Sequence, residues 1–172
     1  MIMRTTTKLA TLLLASAALV AAGSAQARGG FVHVRGANGG ASAAAGPNGG
    51  VAARAHGTVK NSDGSATRAS GGAYRRANGG SGYRASSTTV NPDGSASRQG
   101  TLAASGPNGS VDSNGGFARS ADGTWSGSRS TNATNANTGT SYSGSTSIDP
   151  ATGKPVHTGT CTNAAGETYS CR

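Results

Sequence analysis

The stretch Val59-Lys60-Asn61-Ser62-Asp63-Gly64-Ser65-Ala66-Thr67-Arg68 returns as Val90-Asn91-Pro92-Asp93-Gly94-Ser95-Ala96-Ser97-Arg98, with Asp, Gly, Ser, Ala and Arg each displaced by thirty positions. Asn-Gly and Asp-Gly are the strongest short-range hairpin signals, because both central residues of a type I′ turn need φ > 0. Signals of this kind recur about every fifteen residues, at Pro47-Asn48-Gly49-Gly50, Ser62-Asp63-Gly64, Ala77-Asn78-Gly79-Gly80, Pro92-Asp93-Gly94, Pro107-Asn108-Gly109, Ala121-Asp122-Gly123, Ala136-Asn137-Thr138-Gly139, Asp149-Pro150-Ala151-Thr152-Gly153 and Asn163-Ala164-Ala165-Gly166. A fixed repeat means one small unit copied along the chain. Gly46-Pro47-Asn48-Gly49 also comes back sixty positions later as Gly106-Pro107-Asn108-Gly109, so the turns alternate between two kinds. A unit of about thirty residues then holds two strands and two turns. In an up-and-down meander the two kinds of turn lie at opposite edges of one sheet.

Composition speaks against a thick-cored globule and leaves two readings, a thin repetitive β structure held by backbone hydrogen bonds and tight turns, or a disordered chain with turn-like bias. Residues 28–172 contain Leu102, Ile148, seven Val and two Phe as their only Leu, Ile, Val or Phe. That is far below the roughly 20% under which a charged chain is suspected of disorder. Small side chains bury little area at about 25 cal/mol per Å², whereas ordering the backbone costs about 1–2 kcal/mol per residue. The expected fold class is all-β: a repetitive, turn-rich meander or a solenoid of short strands, partly disordered, without a substantial hydrophobic core. Glycines midway between turns, at Gly57, Gly71, Gly72, Gly100 and Gly127, read either as bulges or as further turns. Residues 28–46 and 127–147 are the least regular. No stretch after residue 27 has helical periodicity.

The N-terminus reads as a secretory signal. Arg4 and Lys8 supply positive charge, Leu9 to Ala22 is apolar, and Ala25-Gln26-Ala27 fits a small-x-small cleavage site. The apolar run is shorter than a membrane-spanning helix needs. The expected organisation is a signal peptide at 1–27, a flexible basic segment at 28–46, the turn-repeat region at 47–160 and a disulfide-closed hairpin at 161–172. The mature chain is expected to be secreted or periplasmic, with no transmembrane segment. Cys161 and Cys171 are the only cysteines. In an exported chain, with a turn signal between them, they are expected to pair. The other reading is a free or intermolecular pair.

Charge is basic and lopsided. Residues 28–100 hold nine Lys or Arg against Asp63 and Asp93, while residues 101–172 hold four of each sign. Arginine binds phosphate and sulfate in bidentate fashion and stacks on aromatic rings. Arg recurs four residues after Gly50, Gly64, Gly80, Gly94 and Gly115. Side chains alternate between faces along a strand, so a fixed offset predicts a basic stripe on one face. Arg54, Arg68, Arg75, Arg76, Arg84 and Arg98 are the candidate polyanion-binding residues. Tyr74, Tyr83 and Trp125 are candidates for stacking on bases or sugars, with packing across a strand pair as the competing role for Trp125.

Nothing in the chain suggests catalysis. Asp63, Asp93, Asp122 and Asp149 sit inside turn signals, where Asp is wanted for backbone hydrogen bonding. His33, His56 and His157 are far apart without ligand spacing, and no Gly-x-Ser-x-Gly elbow stands between a strand and a helix. A non-enzymatic protein without cofactor or metal is expected. The expected partner is a polyanion such as lipopolysaccharide, acidic polysaccharide or extracellular DNA. The competing class is a structural protein of the envelope or biofilm matrix that self-associates through β edges.

Gly46–Gly50, Gly106–Gly109, Asp149–Gly153 and the Cys161–Cys171 hairpin together resemble small secreted proteins of proteobacteria. Those proteins carry Gly-Pro-Asn-Gly-Gly and Asp-Pro-Ala-Thr-Gly repeats and end in a Cys-bounded hairpin. The resemblance spans the mature chain and implies an exported location without implying an activity.

Overall fold

The computed structural model describes residues 29–171; the expected signal segment, 1–27, lies outside them. Eleven strands follow one another: β1 (Gly30–Gly36), β2 (Gly39–Ala45), β3 (Val51–Lys60), β4 (Ala66–Arg75), β5 (Ser81–Val90), β6 (Ala96–Gly106), β7 (Gly109–Arg119), β8 (Trp125–Asn135), β9 (Thr140–Ile148), β10 (Pro155–Thr162) and β11 (Thr168–Ser170). They form one antiparallel sheet in sequence order. The architecture is therefore the meander, not the solenoid. Gly57, Gly71, Gly72, Gly100 and Gly127 lie inside strands rather than at extra turns.

The turns differ in type from the expected one. No residue other than glycine has positive φ among those described, which excludes a type I′ pair of central residues. Instead Gly64 N donates to Asn61 O at 3.1 Å and Asn61 N to Ser65 O at 2.8 Å. Gly64 alone takes φ +82°. This is a type I turn closed by a left-handed glycine, the three-residue hairpin loop with a G1 bulge. The pattern repeats at Gly46–Gly50, Arg76–Gly80, Asn91–Ser95, Ser120–Thr124 and Asn163–Glu167. Proline suits the first central position of such turns because its φ is already near −65°, as at Pro47 and Pro92. Side chains reinforce the turn: Ser65 Oγ donates to Asp63 Oδ1 at 2.7 Å and Asn61 Nδ2 to Ser65 Oγ at 2.8 Å. The thirty-residue copy reproduces both bonds, Ser95 to Asp93 at 2.7 Å and Asn91 to Ser95 at 2.9 Å.

Gly94 offers a clean test of this geometry. It has φ +81°, and an added Cβ would meet nothing within 4 Å. Gly94→Ala is expected to cost about 1–2 kcal/mol from left-handed strain alone. Gly94→Asn should recover part of that loss, since Asn tolerates the left-handed region. Thermal melts of the two variants check the ordering.

Two segments expected to be irregular are strands. Residues 28–46 contain β1 and β2, and 127–147 fall largely in β8 and β9. The physical reason is that pairing runs through the backbone. Gly39-Gly40-Ala41-Ser42-Ala43-Ala44-Ala45 has no apolar alternation to read, yet every residue of it pairs with β3. The turn that joins β1 to β2, Ala37-Asn38, was also missed. Its Asn38 carbonyl accepts from Thr58 N at 2.7 Å, as Asn108 accepts from Ala136 N at 2.9 Å. The sheet passes without a break through the boundaries expected at 46 and 160.

This is a single layer. No hydrophobic side chain is buried among the described residues, and the buried polar ones are Ser65 and Ser113. The ladder, the turns and side-chain bonds such as Thr67–Thr89 (3.0 Å) and Ser110–Thr134 (2.8 Å) hold it together. The last hairpin is closed by a disulfide between Cys161 and Cys171, with Cα atoms 5.8 Å apart. Among the described residues no helix is long and apolar enough to cross a membrane.

Candidate functional site

Strand register fixes which side chains share a face. Arg54 pairs with Gly72, and Gly72 with Arg84. Arg68 pairs with Thr88, and Thr88 with Arg98. All four arginines are exposed and stand on one face. Within each pair the strands are two apart, or about 10 Å. The two pairs are four residues apart along the strands, or about 13 Å. Between them runs a row of small side chains: Ser70 and Ser86, whose hydroxyls bond at 3.0 Å, then Gly100 and Gly115. Two arginine walls thus flank a shallow floor that crosses the strands.

The same face collects more positive charge. Arg35, Lys60, Arg119 and Arg129 occupy it by the same pairing. None of the six acidic residues does. Asp63, Asp93, Asp122, Asp149 and Glu167 lie in turn segments between strands, and Asp112 is on the opposite face, paired with Ala103. Arg129 is partly buried: its Nε donates to buried Ser113 Oγ at 2.8 Å, and Ser113 donates to Ser130 O at 2.8 Å. All three histidines are on the arginine face as well, His157 between Tyr142 Oη and Thr146 Oγ1 at 3.0 Å each.

The expected site residues separate. Arg54, Arg68, Arg84 and Arg98 come together. Arg75 does not: it pairs with Val51 and Ser81 on the opposite face. Arg76 leaves the ladder for the turn and lies over the Tyr74 ring, 5.5 Å from its centroid. Tyr74 is on the arginine face, one row beyond Arg54 and Arg84, whereas Tyr83 is on the other face. Trp125 stands on the arginine face directly across from Arg119 and remains 49% exposed. Gly115, read as a turn glycine, lies inside β7; Arg119 reaches the face all the same. Arg35 and Arg129 were not read as site residues. Folding the chain about Ala121-Asp122-Gly123 would have found Arg129, since that turn sets Trp125 opposite Arg119 and Arg129 lies an even step beyond.

The opposite face is nearly free of charge. An open groove of about 730 Å³ crosses β3–β8, lined by residues of this face such as Ala55, Ala69, Ala85 and Ser128 and by arginine-face residues such as Ser70, Ser86 and Arg98.

The two kinds of turn do sit at opposite ends of the strands. Asp63, Asp93, Asp122 and Asp149 follow odd-numbered strands, while Asn48, Asn78, Asn108 and Asn137 follow even-numbered ones. Each of these carboxyls is held below its ordinary value of 3.8. For Asp63 and Asp93 the main cause is the hydroxyl of Ser65 or Ser95. For Asp122 and Asp149 it is the backbone N–H of Thr124 or Ala151. A depressed carboxyl stabilises fully above its unfolded value and loses that contribution as pH falls through the lower folded value. The Asp-bearing ends of the hairpins are therefore expected to loosen below about pH 4, before the Asn-bearing ends. Amide exchange across an acid titration reads this, and Ser65→Ala with Ser95→Ala should shrink the difference.

No protein-family model matches the chain, and no curated protein or solved structure matches it significantly.

Proposed function

We propose that the protein is an exported binding module that holds a linear polyanion across its arginine face, without catalysing a reaction. The observation that carries this reading is the segregation of charge: eight Lys or Arg at strand positions of one face and no Asp or Glu there. A one-signed surface attracts and concentrates polyions of the opposite sign. Arginines repeating at a fixed step match a ligand whose anionic groups also repeat, as in a sulfated or carboxylated polysaccharide, the phosphorylated sugar of lipopolysaccharide, or extracellular DNA. Export through residues 1–27, with cleavage after Ala27, is part of the proposal; the Cys161–Cys171 disulfide supports it, since such bonds persist outside the cytosol. The test is binding to a sulfated polysaccharide, to duplex DNA and to neutral dextran at rising salt. Binding to the two polyanions should fall steeply with ionic strength and be absent on dextran. Salt-independent binding, or equal binding to dextran, sinks the proposal.

A further inference from the structure

The sheet ends in two unlike edges. Ladder parity can be read from the turns. Gly46 N donates to Gly50 O, so the even-numbered residues of β2 bond to β3 and the odd-numbered ones to β1. In the observed register, Gly30, Val32, Val34 and Gly36 then bond to β2. The amides and carbonyls of Phe31, His33 and Arg35 turn outward, and no strand among the described residues pairs with them. At the other edge Asn163 N donates to Glu167 O and Cys171 N to Gly159 O. Only Thr168 and Ser170 of β11 point outward, and the disulfide closes that hairpin.

Of the features by which proteins blunt an edge strand, the open edge carries one charge, Arg35, and neither proline, lysine nor bulge. β1 reads Gly-Phe-Val-His-Val-Arg-Gly, with no proline and no lysine, and its register with β2 is unbroken by a bulge. Phe31, Val34 and Val32 are 67%, 60% and 58% exposed, more than any other large hydrophobic side chain among the described residues.

The geometry points to a second copy of this chain as the occupant of that edge, with β1 pairing antiparallel to β1 about a two-fold axis through His33. This is the register that pairs all three outward-facing residues with outward-facing residues. Phe31 lies opposite the second copy's Arg35, His33 opposite His33, and Arg35 opposite Phe31. Each such pair exchanges both of its backbone hydrogen bonds. Charge is complementary: the strand's one guanidinium meets an aromatic ring rather than a like charge. On the other face Val32 meets Val34 in both directions. Pairing about a two-fold axis is self-complementary and closes at two copies. Extension past two would need the other edge, made of the stapled three-residue β11 and the Pro155–Thr158 stretch of β10 that β11 leaves uncovered, where Pro155 has no N–H to offer. The axis runs normal to the sheet, so both arginine faces look the same way, and one polymer can engage both copies at once. The inference stands apart from the polyanion reading and is tested without any ligand.

The test is sedimentation velocity of the oxidised protein over a range of concentrations, at low and high salt. The expected mass is twice that of the chain, and it should persist at high salt. Val32→Lys with Val34→Lys should halve the mass while the β circular dichroism and the disulfide stay intact. Thr168→Pro, on the other edge, should leave the dimer whole. His33→Cys should yield a covalent dimer on oxidation, since the two Cα atoms of such a pair lie about 5.5 Å apart. A monomeric parent protein, a dimer that survives the lysines, a dimer lost with Thr168→Pro, assemblies larger than two, or a dimer that His33→Cys fails to link would each overturn the inference.

Discussion

Replacing Arg54, Arg68, Arg84 and Arg98 with Gln together is expected to lower affinity for a polyanion by about a thousandfold, because each basic group near an anionic surface is worth about 1 kcal/mol. On duplex DNA the slope of log affinity against log salt should fall by about 0.9 for each phosphate contact removed. The sharper comparison matches charge. Arg54→Gln with Arg84→Gln removes two positive charges from one wall of the arginine face. Arg75→Gln with Lys154→Gln removes two from outside it, since Arg75 is on the opposite face and Lys154 is in the turn before β10. The first pair should weaken binding about thirtyfold and the second within a few-fold. Equal losses would mean that charge density alone governs binding, and the face would then have no role as a site. The four side chains are exposed and support no buried group, so the folded sheet should survive the substitutions.

Removing the disulfide is expected to cost about 2.5–3 kcal/mol, the loop-closure entropy of so short a ring. The bond joins residues ten apart. The loss should be local. β11 is three residues long and pairs only with β10, and in a single layer no core ties it to the rest. Cys161→Ser with Cys171→Ser should therefore abolish amide protection in β11 and the end of β10 while leaving β3–β8 protected. Hydrogen exchange followed residue by residue reads this directly. Uniform loss of protection along the whole sheet would show that the strands melt as one cooperative body instead.

The sequence carried the fold in its punctuation. Asp63-Gly64 and Asp93-Gly94, thirty apart, together with Asn48-Gly49 and Asn108-Gly109, sixty apart, were enough to place hairpins, alternate the turn kinds and put them at opposite ends. What could not be read was how each turn closes. Asn-Gly and Asp-Gly serve both a type I′ loop and a type I turn with a bulged glycine, and the choice lies in which residue takes positive φ. Only Gly64 and its counterparts do. Irregular-looking segments such as Gly39–Ala45 were misread because their pairing is between backbones, and Ala, Gly and Ser leave no face pattern. The site was half legible. Arg54, Arg68, Arg84 and Arg98 followed from a fixed offset and face parity. Arg75 and Arg76 looked like the densest part of the site because they are adjacent in sequence. Adjacent residues in a strand point to opposite faces, and here the second of them leaves the strand altogether.

Each strand of the sheet is hydrogen-bonded only to its immediate neighbours. A tandem duplication of the codons for residues 61–90 would splice in one strand with an arginine in Arg68's wall and one with an arginine in Arg84's. No interior would have to be refitted, because the described residues bury no hydrophobic side chain. The number of ligand contacts is then a copy-number trait, which unequal crossing-over between repeats can raise or lower in whole steps while every existing residue keeps its place.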